Sequence, residues 1–347
     1  MKVYLKLENG RTFEGERFGA DGDALGEVVF NTCMTGYQEI LTDPANKGLL
    51  VAMTYPLLGN YGVNGEDDEA AGTAAKGLIV REICDKPSNF RSTGTLDAYL
   101  KEHQIVGISG VDTRCLTRAL RDNGPMRAVI TSDKDFDVSA LKVCTIEPNA
   151  AYGKQYHVPG SGKRVALVDF GVRKSFVQQL SERGYDVTVF PSDTAAAALH
   201  GFDGIILSGG PGAPQDYTAG IALAKALLDG GTPVLGVGLG HQLLALAAGA
   251  AVEHLPHGHH GVNHPVLDKA AGRTYLTWQN HGWTVRADSL PAGQVIYVNI
   301  NDRSIEGLQY APHAFGVQFH PIALENATGT GFVFTRFEAL MGGGAHA

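Results

Sequence analysis

From Arg164 to Ala250 short apolar runs alternate with amphipathic stretches, and this alternation restricts the fold more than any other feature of the chain. "RVALVDFG" reads as a buried strand, and "VRKSFVQQLSERG" sets Val172, Phe176, Val177 and Leu180 on one helical face. "YDVTVF" is a second strand. "GIILSGGPGAP" then supplies a strand and turn, "AGIALAKALLDGG" a helix, and "PVLGV" another strand. The repeated β-α-β pattern predicts an open, mainly parallel sheet with helices on both faces. Such sheets bind ligands at the carboxyl ends of their strands. The turns "SGGPG" and "GVGLG" both fall there and are predicted to line one cleft.

The second turn, Gly236-Val237-Gly238-Leu239-Gly240, leads into a helix in which Leu243, Leu244, Leu246 and Ala247 recur at helical spacing. Its form is Gly-x-X-x-Gly, the strand-to-helix elbow whose middle residue is the nucleophile in α/β hydrolases. Here the middle residue is Gly238, which has no side chain. A dinucleotide fingerprint starting at Gly236 needs glycine where His241 stands, and the turn is not in the first β-α unit of its domain. No G-x-x-x-x-G-K-[ST] loop offers a site for ATP.

The length of 347 residues allows two domains, each with its own core. The first half mixes short strands, "KVYLKLENGRTFEGERFG", "GEVVFNT" and "KGLLVAMTYPL", with helical stretches at "TLDAYLKEHQI" and "DTRCLTRALRDNG". A mixed α/β domain over 1–150, a Gly- and Pro-rich linker over 151–163 and the sheet domain over 164–347 are expected. A net charge of −8 argues against nucleic acid as a partner. No apolar run is long enough to span a bilayer, and the opening residues do not form a signal peptide. Cys33, Cys84, Cys115 and Cys144 show no CxxC pairing, which suits reduced thiols and a cytoplasmic location.

A nucleophile–His–carboxylate site needs a histidine near the cleft, and "GVQFHP" supplies His320 after an apolar strand. At this point a resemblance covers nearly the whole chain. "GEVVFNTCMTGYQEILTDP", "TYPLLGNYGVN", "GLIVRE", "PSNFRS" and "GVDTRCLTRALRDNG" resemble the amino-terminal domain of the carbamoyl phosphate synthetase small subunit. "LSGGPG", "GLGHQLLALAAGA", "GHHGVNHPV", "QNHGW" and "GVQFHP" resemble its class I glutamine amidotransferase domain.

The resemblance implies a cysteine at the elbow that attacks the side-chain amide of glutamine. It also implies a histidine that activates the thiol, and a glutamate two residues later that orients the imidazole. Transferred to this chain, those positions are Gly238, His320 and Ile322, so only the histidine is kept. Glycine carries no nucleophile, and isoleucine accepts no hydrogen bond from an imidazole N–H. The glutamine pocket implied by the family maps to Gly210, Gly212, Gln242, Asn280, Gly282 and Trp283, with Leu239 offering an oxyanion N–H and Ala45 standing where a serine is expected. The implied partner is a large subunit that carries ATP, bicarbonate and magnesium, so this chain is expected to need no cofactor or metal of its own. Glutamine is the implied ligand.

Other readings of the residues stand beside this one. Ser208 lies at a strand end, but no general base is placed for it and turn serines are usually solvated or capping. Glu325 is a loop carboxylate that could replace position 322. His254, His257, His259, His260 and His264 crowd together, yet the family carries a similar "GHHGxNHP" stretch as structure. Three functions of different classes follow: a non-hydrolysing synthetase subunit, an active glutaminase with relocated groups, and a regulatory subunit that binds glutamine or another amino acid without turnover. A paralogue recruited to another ATP-dependent ligase is a fourth.

Overall fold

The computed structural model describes residues 1–72, 74–143, 153–290, 294–321 and 329–342. They fall into two compact units: Met1–Glu147 with Pro256–Gly261, and Pro148–Leu255 with Val262–Ala347.

In the first unit seven strands close into a barrel. Their spatial order is Lys2–Leu7, Thr12–Gly19, Val106–Ser109, Gly77–Ile79, Leu49–Met53, Ala24–Asn31 and Met126–Thr131, and the last pairs with the first at Leu5↔Ile130. Alternation sends neighbouring residues to opposite faces. Val28, Leu50 and Ile79 join one apolar cluster, while Val29, Val51 and Leu78 join another. The first cluster takes Leu116, Ala119 and Leu120 from the helix Thr113–Asn123, and the second takes Leu41, Leu96 and Leu100 from the helices Tyr37–Thr42 and Leu96–Glu102. The side chain of Asp112 caps the helix Thr113–Asn123 by accepting from the Cys115 N–H at 2.9 Å.

The second unit is built on a ten-stranded sheet. Its parallel part runs Asp186–Pro191, Arg164–Asp169, Gly204–Leu207, Val234–Val237 and Ala314–Val317. Beyond Ala314–Val317 the sheet continues antiparallel through Ile305–Ala311 and Val295–Asn299 to Val252–Asp268, and Arg273–Val285 stands at its edge. Helices cover both faces of the parallel part. Val165 and Leu167 pack with the helices Lys174–Glu182 and Phe332–Leu340, whereas Ala166 and Val168 pack with Thr218–Asp229 and Leu239–Ala247.

The stretch expected to be a linker is not wholly irregular. Tyr156–Val158 forms an edge strand antiparallel to Asp186–Pro191, with Tyr156↔Val189 in register. Pro256–Gly261, which lies within the strand Val252–Asp268, clusters with the first unit. Among the described residues no helix is long and apolar enough to cross a membrane.

Candidate active site

Gly238 stands between the strand Val234–Val237 and the helix Leu239–Ala247 with φ 54° and ψ −111°. Side chains other than glycine rarely take this backbone conformation, and a nucleophile elbow imposes that kind of strain on its central residue. Two hydrogen bonds hold the turn: the Gly238 N–H donates to the Val317 carbonyl at 2.9 Å, and the Gly238 carbonyl accepts from the Gln242 N–H at 3.2 Å. The Gly240 N–H donates to the Ser208 carbonyl at 2.9 Å, tying the helix start to the neighbouring strand end.

The three glycines of the turn serve different needs. A Cβ on Gly240 would lie 2.2 Å from the Leu207 carbonyl oxygen, and one on Gly236 would lie 2.7 Å from the Gly240 carbonyl oxygen. Both positions exclude a side chain because backbone is in the way. At Gly238 the nearest atom to a Cβ would be the Gly209 Cα at 3.5 Å, followed by the Gln318 carbonyl oxygen at 3.9 Å, which is ordinary contact. The cleft therefore has room for a side chain that the residue does not supply.

Gly209 links this turn to His320, since a Cβ on Gly209 would sit 3.9 Å from the His320 Cε1. The His320 N–H donates to the Trp278 carbonyl at 2.9 Å, and the two rings lie 5.4 Å apart. On Trp278 rests the guanidinium of Arg173, 3.6 Å from the ring centroid and 5% exposed, a cation–π stack in a desolvated setting. Neither Arg173 nor Trp278 was singled out in the sequence, because the stack joins two residues 105 positions apart with no motif between them. Asp169, at the end of the strand Arg164–Asp169, accepts from the Gly171 and Val172 N–H groups at 2.8 and 2.7 Å. Burial nonetheless holds its carboxyl above the usual range, with these two amides pulling the other way.

The pocket residues fall around this centre unevenly. Gly210 touches both walls, because a Cβ there would meet the Phe170 carbonyl oxygen at 2.3 Å and the Leu239 Cδ2 at 2.9 Å. Leu239 opens the helix, where first-turn N–H groups have no intrahelical acceptor. Gln242 is 3% exposed, and its amide nitrogen donates to the Trp283 carbonyl at 2.8 Å and to the Gln318 Oε1 at 2.9 Å. Trp283 meets His254 edge-on at 5.1 Å, and a Cβ on Gly282 would lie 3.1 Å from the His254 Nε2. Gly212 has φ 81° in its turn, and Asn280 is half-buried in the strand Arg273–Val285.

Ala45 belongs to the first unit, in the short 3-10 turn Pro44–Asn46, where the Asp43 carboxylate accepts its N–H at 3.0 Å. Ile322 and Glu325 lie outside the described residues. Ser208 is 1% exposed and engaged on both sides: its hydroxyl accepts from the Phe170 N–H at 2.9 Å and donates to the Gly209 carbonyl at 2.8 Å. It braces two strand ends rather than facing the cleft as a nucleophile.

Comparison with known proteins finds matches over both units. Residues 5–130 match the family described as carbamoyl-phosphate synthase small chain, CPSase domain, and residues 166–340 match glutamine amidotransferase class-I. A carbamoyl phosphate synthase pyrimidine-specific small chain from Halalkalibacterium halodurans is 46% identical over 359 residues, spanning 100% of this chain and 99% of its own. The protein of the same description from Bacillus subtilis is 45% identical over 97% of this chain and 95% of its own. A carbamoyl phosphate synthase small chain from Oceanobacillus iheyensis is 43% identical over 97% of this chain and 95% of its own. With an elbow turn at the strand ends, a histidine beside it and relatives matched end to end, the chain belongs to the carbamoyl phosphate synthase small-chain family.

Proposed function

We propose that this small chain has lost glutamine hydrolysis and supports carbamoyl phosphate synthesis from free ammonia by a large subunit, which carries ATP, bicarbonate and magnesium. The observation that carries this reading is Gly238: an elbow with the strained φ and ψ of a nucleophile site, with space for a side chain, and with no atom there to attack an amide. Removing the nucleophile from a comparable serine–histidine–aspartate site costs about a millionfold in kcat. The second family position without its chemical group is Ile322. The thiol that the family's histidine deprotonates has no counterpart at Gly238.

The test is carbamoyl phosphate formation by the chain with its cognate large subunit, with glutamine and ammonium compared as nitrogen donors. Turnover with ammonium alone supports the reading. Turnover with glutamine at a rate like that of an intact relative overturns it and requires another nucleophile.

The walls at Gly210, Leu239 and Trp283 favour a second, compatible role in which the cleft holds glutamine unhydrolysed and reports its level to the partner. Calorimetric titration with glutamine separates the two, since the structural role predicts no heat of binding. The pyrimidine-specific description of two relatives favours supply to pyrimidine synthesis over arginine synthesis.

A further inference from the structure

The helix Thr113–Asn123 buries Thr113, Leu116, Ala119 and Leu120 and turns Arg114 and Arg118 outward, one helical turn apart. Together with Arg81 they line a groove of 420 Å³ that also takes in Thr54 and Thr117. Arg118 is shared with a second groove, at whose other side stands Arg11. All four arginines are exposed, and among the described residues none has an acidic partner. The acids beside them are already engaged: Asp112 caps the helix through the Cys115 N–H, and Asp122 pairs with Arg121 at 2.8 Å.

Two exposed arginines elsewhere do have acidic partners. Arg91 meets Glu66 and Asp67, and Arg286 meets Asp288. Arg114 and Arg118 on the helix, Arg81 in the same groove and Arg11 in the adjoining one thus gather four guanidiniums that, among the described residues, have no acidic partner, in a chain whose net charge is −8. Like charges gathered on one surface repel one another and are neutralised when a surface of opposite sign docks.

We propose that this arginine-lined groove receives an acidic, extended segment of the large subunit. The inference rests on the reading that a large subunit is the partner, and it adds where and by what chemistry the two meet. A small phosphate anion fits less well. The carboxylate of Asp112 already occupies the helix start, and the four arginines are divided between two adjoining grooves, a wider field than one phosphate engages. Planar guanidiniums spread over two adjoining grooves suit successive carboxylates of a peptide, each able to take two N–H donors.

The experiment measures the affinity of the full-length chain for its cognate large subunit at low and high salt. It compares the parent, Arg114→Glu/Arg118→Glu, and a control of equal charge change, Lys76→Glu/Lys154→Glu, both sites of which are exposed. Thermal unfolding of all three checks that the fold is kept. The expected result is a loss of at least about tenfold in affinity for the arginine variant, a parent affinity that falls with salt, and a flatter salt dependence in the variant. Equal binding by parent and arginine variant, or an equal loss in the lysine control, overturns the proposal while leaving the subunit reading intact. A parent chain that does not bind the large subunit at all overturns the subunit reading, and the groove assignment with it.

Discussion

At the scale of single residues, the turn separates two reasons for a glycine. Gly240 is glycine because a methyl would press on the Leu207 carbonyl at 2.2 Å, whereas Gly238 has space and only its backbone angles disfavour a side chain. Gly240→Ala is therefore expected to cost ~3 kcal/mol or more through overpacking against backbone. Gly238→Ala should cost only ~1–3 kcal/mol through strain. Gly238→Cys should follow Gly238→Ala, because the contacts of its Cβ are ordinary. Urea unfolding of the three variants ranks them, and a Gly238→Cys protein more stable than the parent would show that the turn holds no strain to be paid for. This much of the site was legible from the spacing of the glycines and from His320. The bracing hydroxyl of Ser208 and the stack of Arg173 on Trp278 were not, because each depends on which strand ends lie side by side.

At the scale of elements, His241 and Tyr310 lock the elbow helix to the strand Ile305–Ala311. The Tyr310 hydroxyl donates to the His241 carbonyl at 2.7 Å, so its oxygen accepts from the His241 Nδ1–H, also at 2.7 Å. That fixes the tautomer and leaves Nε2 as a buried lone pair without a partner. Complete burial accordingly pushes the imidazole pKa down to about 3. The unfolded chain takes up a proton near pH 6.5 that the folded chain refuses, so the stability tied to neutral His241 is full above that pH. It is lost as pH falls toward 3, by ~1.4 kcal/mol per unit from this one group. Stability measured from pH 7 to 4 should fall more steeply in the parent than in His241→Gln; parallel curves would place the proton elsewhere. Tyr310→Phe should cost ~1–3 kcal/mol at neutral pH by leaving a carbonyl and an N–H unpaired. The helices and the parallel strands of this half were readable because local periodicity sets them. Closure of the first unit's barrel was not readable, since Leu5 pairs with Ile130 far along the chain. Nor was the edge strand Tyr156–Val158, whose three residues between glycines and a proline are too few to show a period.

At the scale of the whole molecule, the proposal that glutamine hydrolysis has been lost rests on Gly238 and Ile322 at two positions where the resemblance implies a thiol and a carboxylate, so the proposal can be tested by putting both groups back. Placing the thiol alone does not supply the glutamate that the resemblance implies at position 322, so Gly238→Cys by itself should hydrolyse glutamine poorly. Adding Ile322→Glu supplies the acceptor that fixes the imidazole tautomer. Because a nucleophile and its base act as a unit, the gain of the double variant should far exceed the product of the two single gains, by at least ~10-fold. Release of ammonia from glutamine by the isolated chain reads this step directly. Carbamoyl phosphate formation with the large subunit then reads a second one, because ammonia set free in the cleft must reach the partner before it is lost to solvent. If the double variant hydrolyses glutamine alone and also drives synthesis in the complex, the assembly still conveys ammonia and the parent lacks only its reacting groups. If it hydrolyses glutamine but synthesis still requires added ammonium, ammonia does not pass from this chain to its partner. No hydrolysis in a double variant that folds and binds glutamine would show that the cleft does not align an amide with position 238, and that more than the residues at 238 and 322 sets this cleft apart from a hydrolysing one.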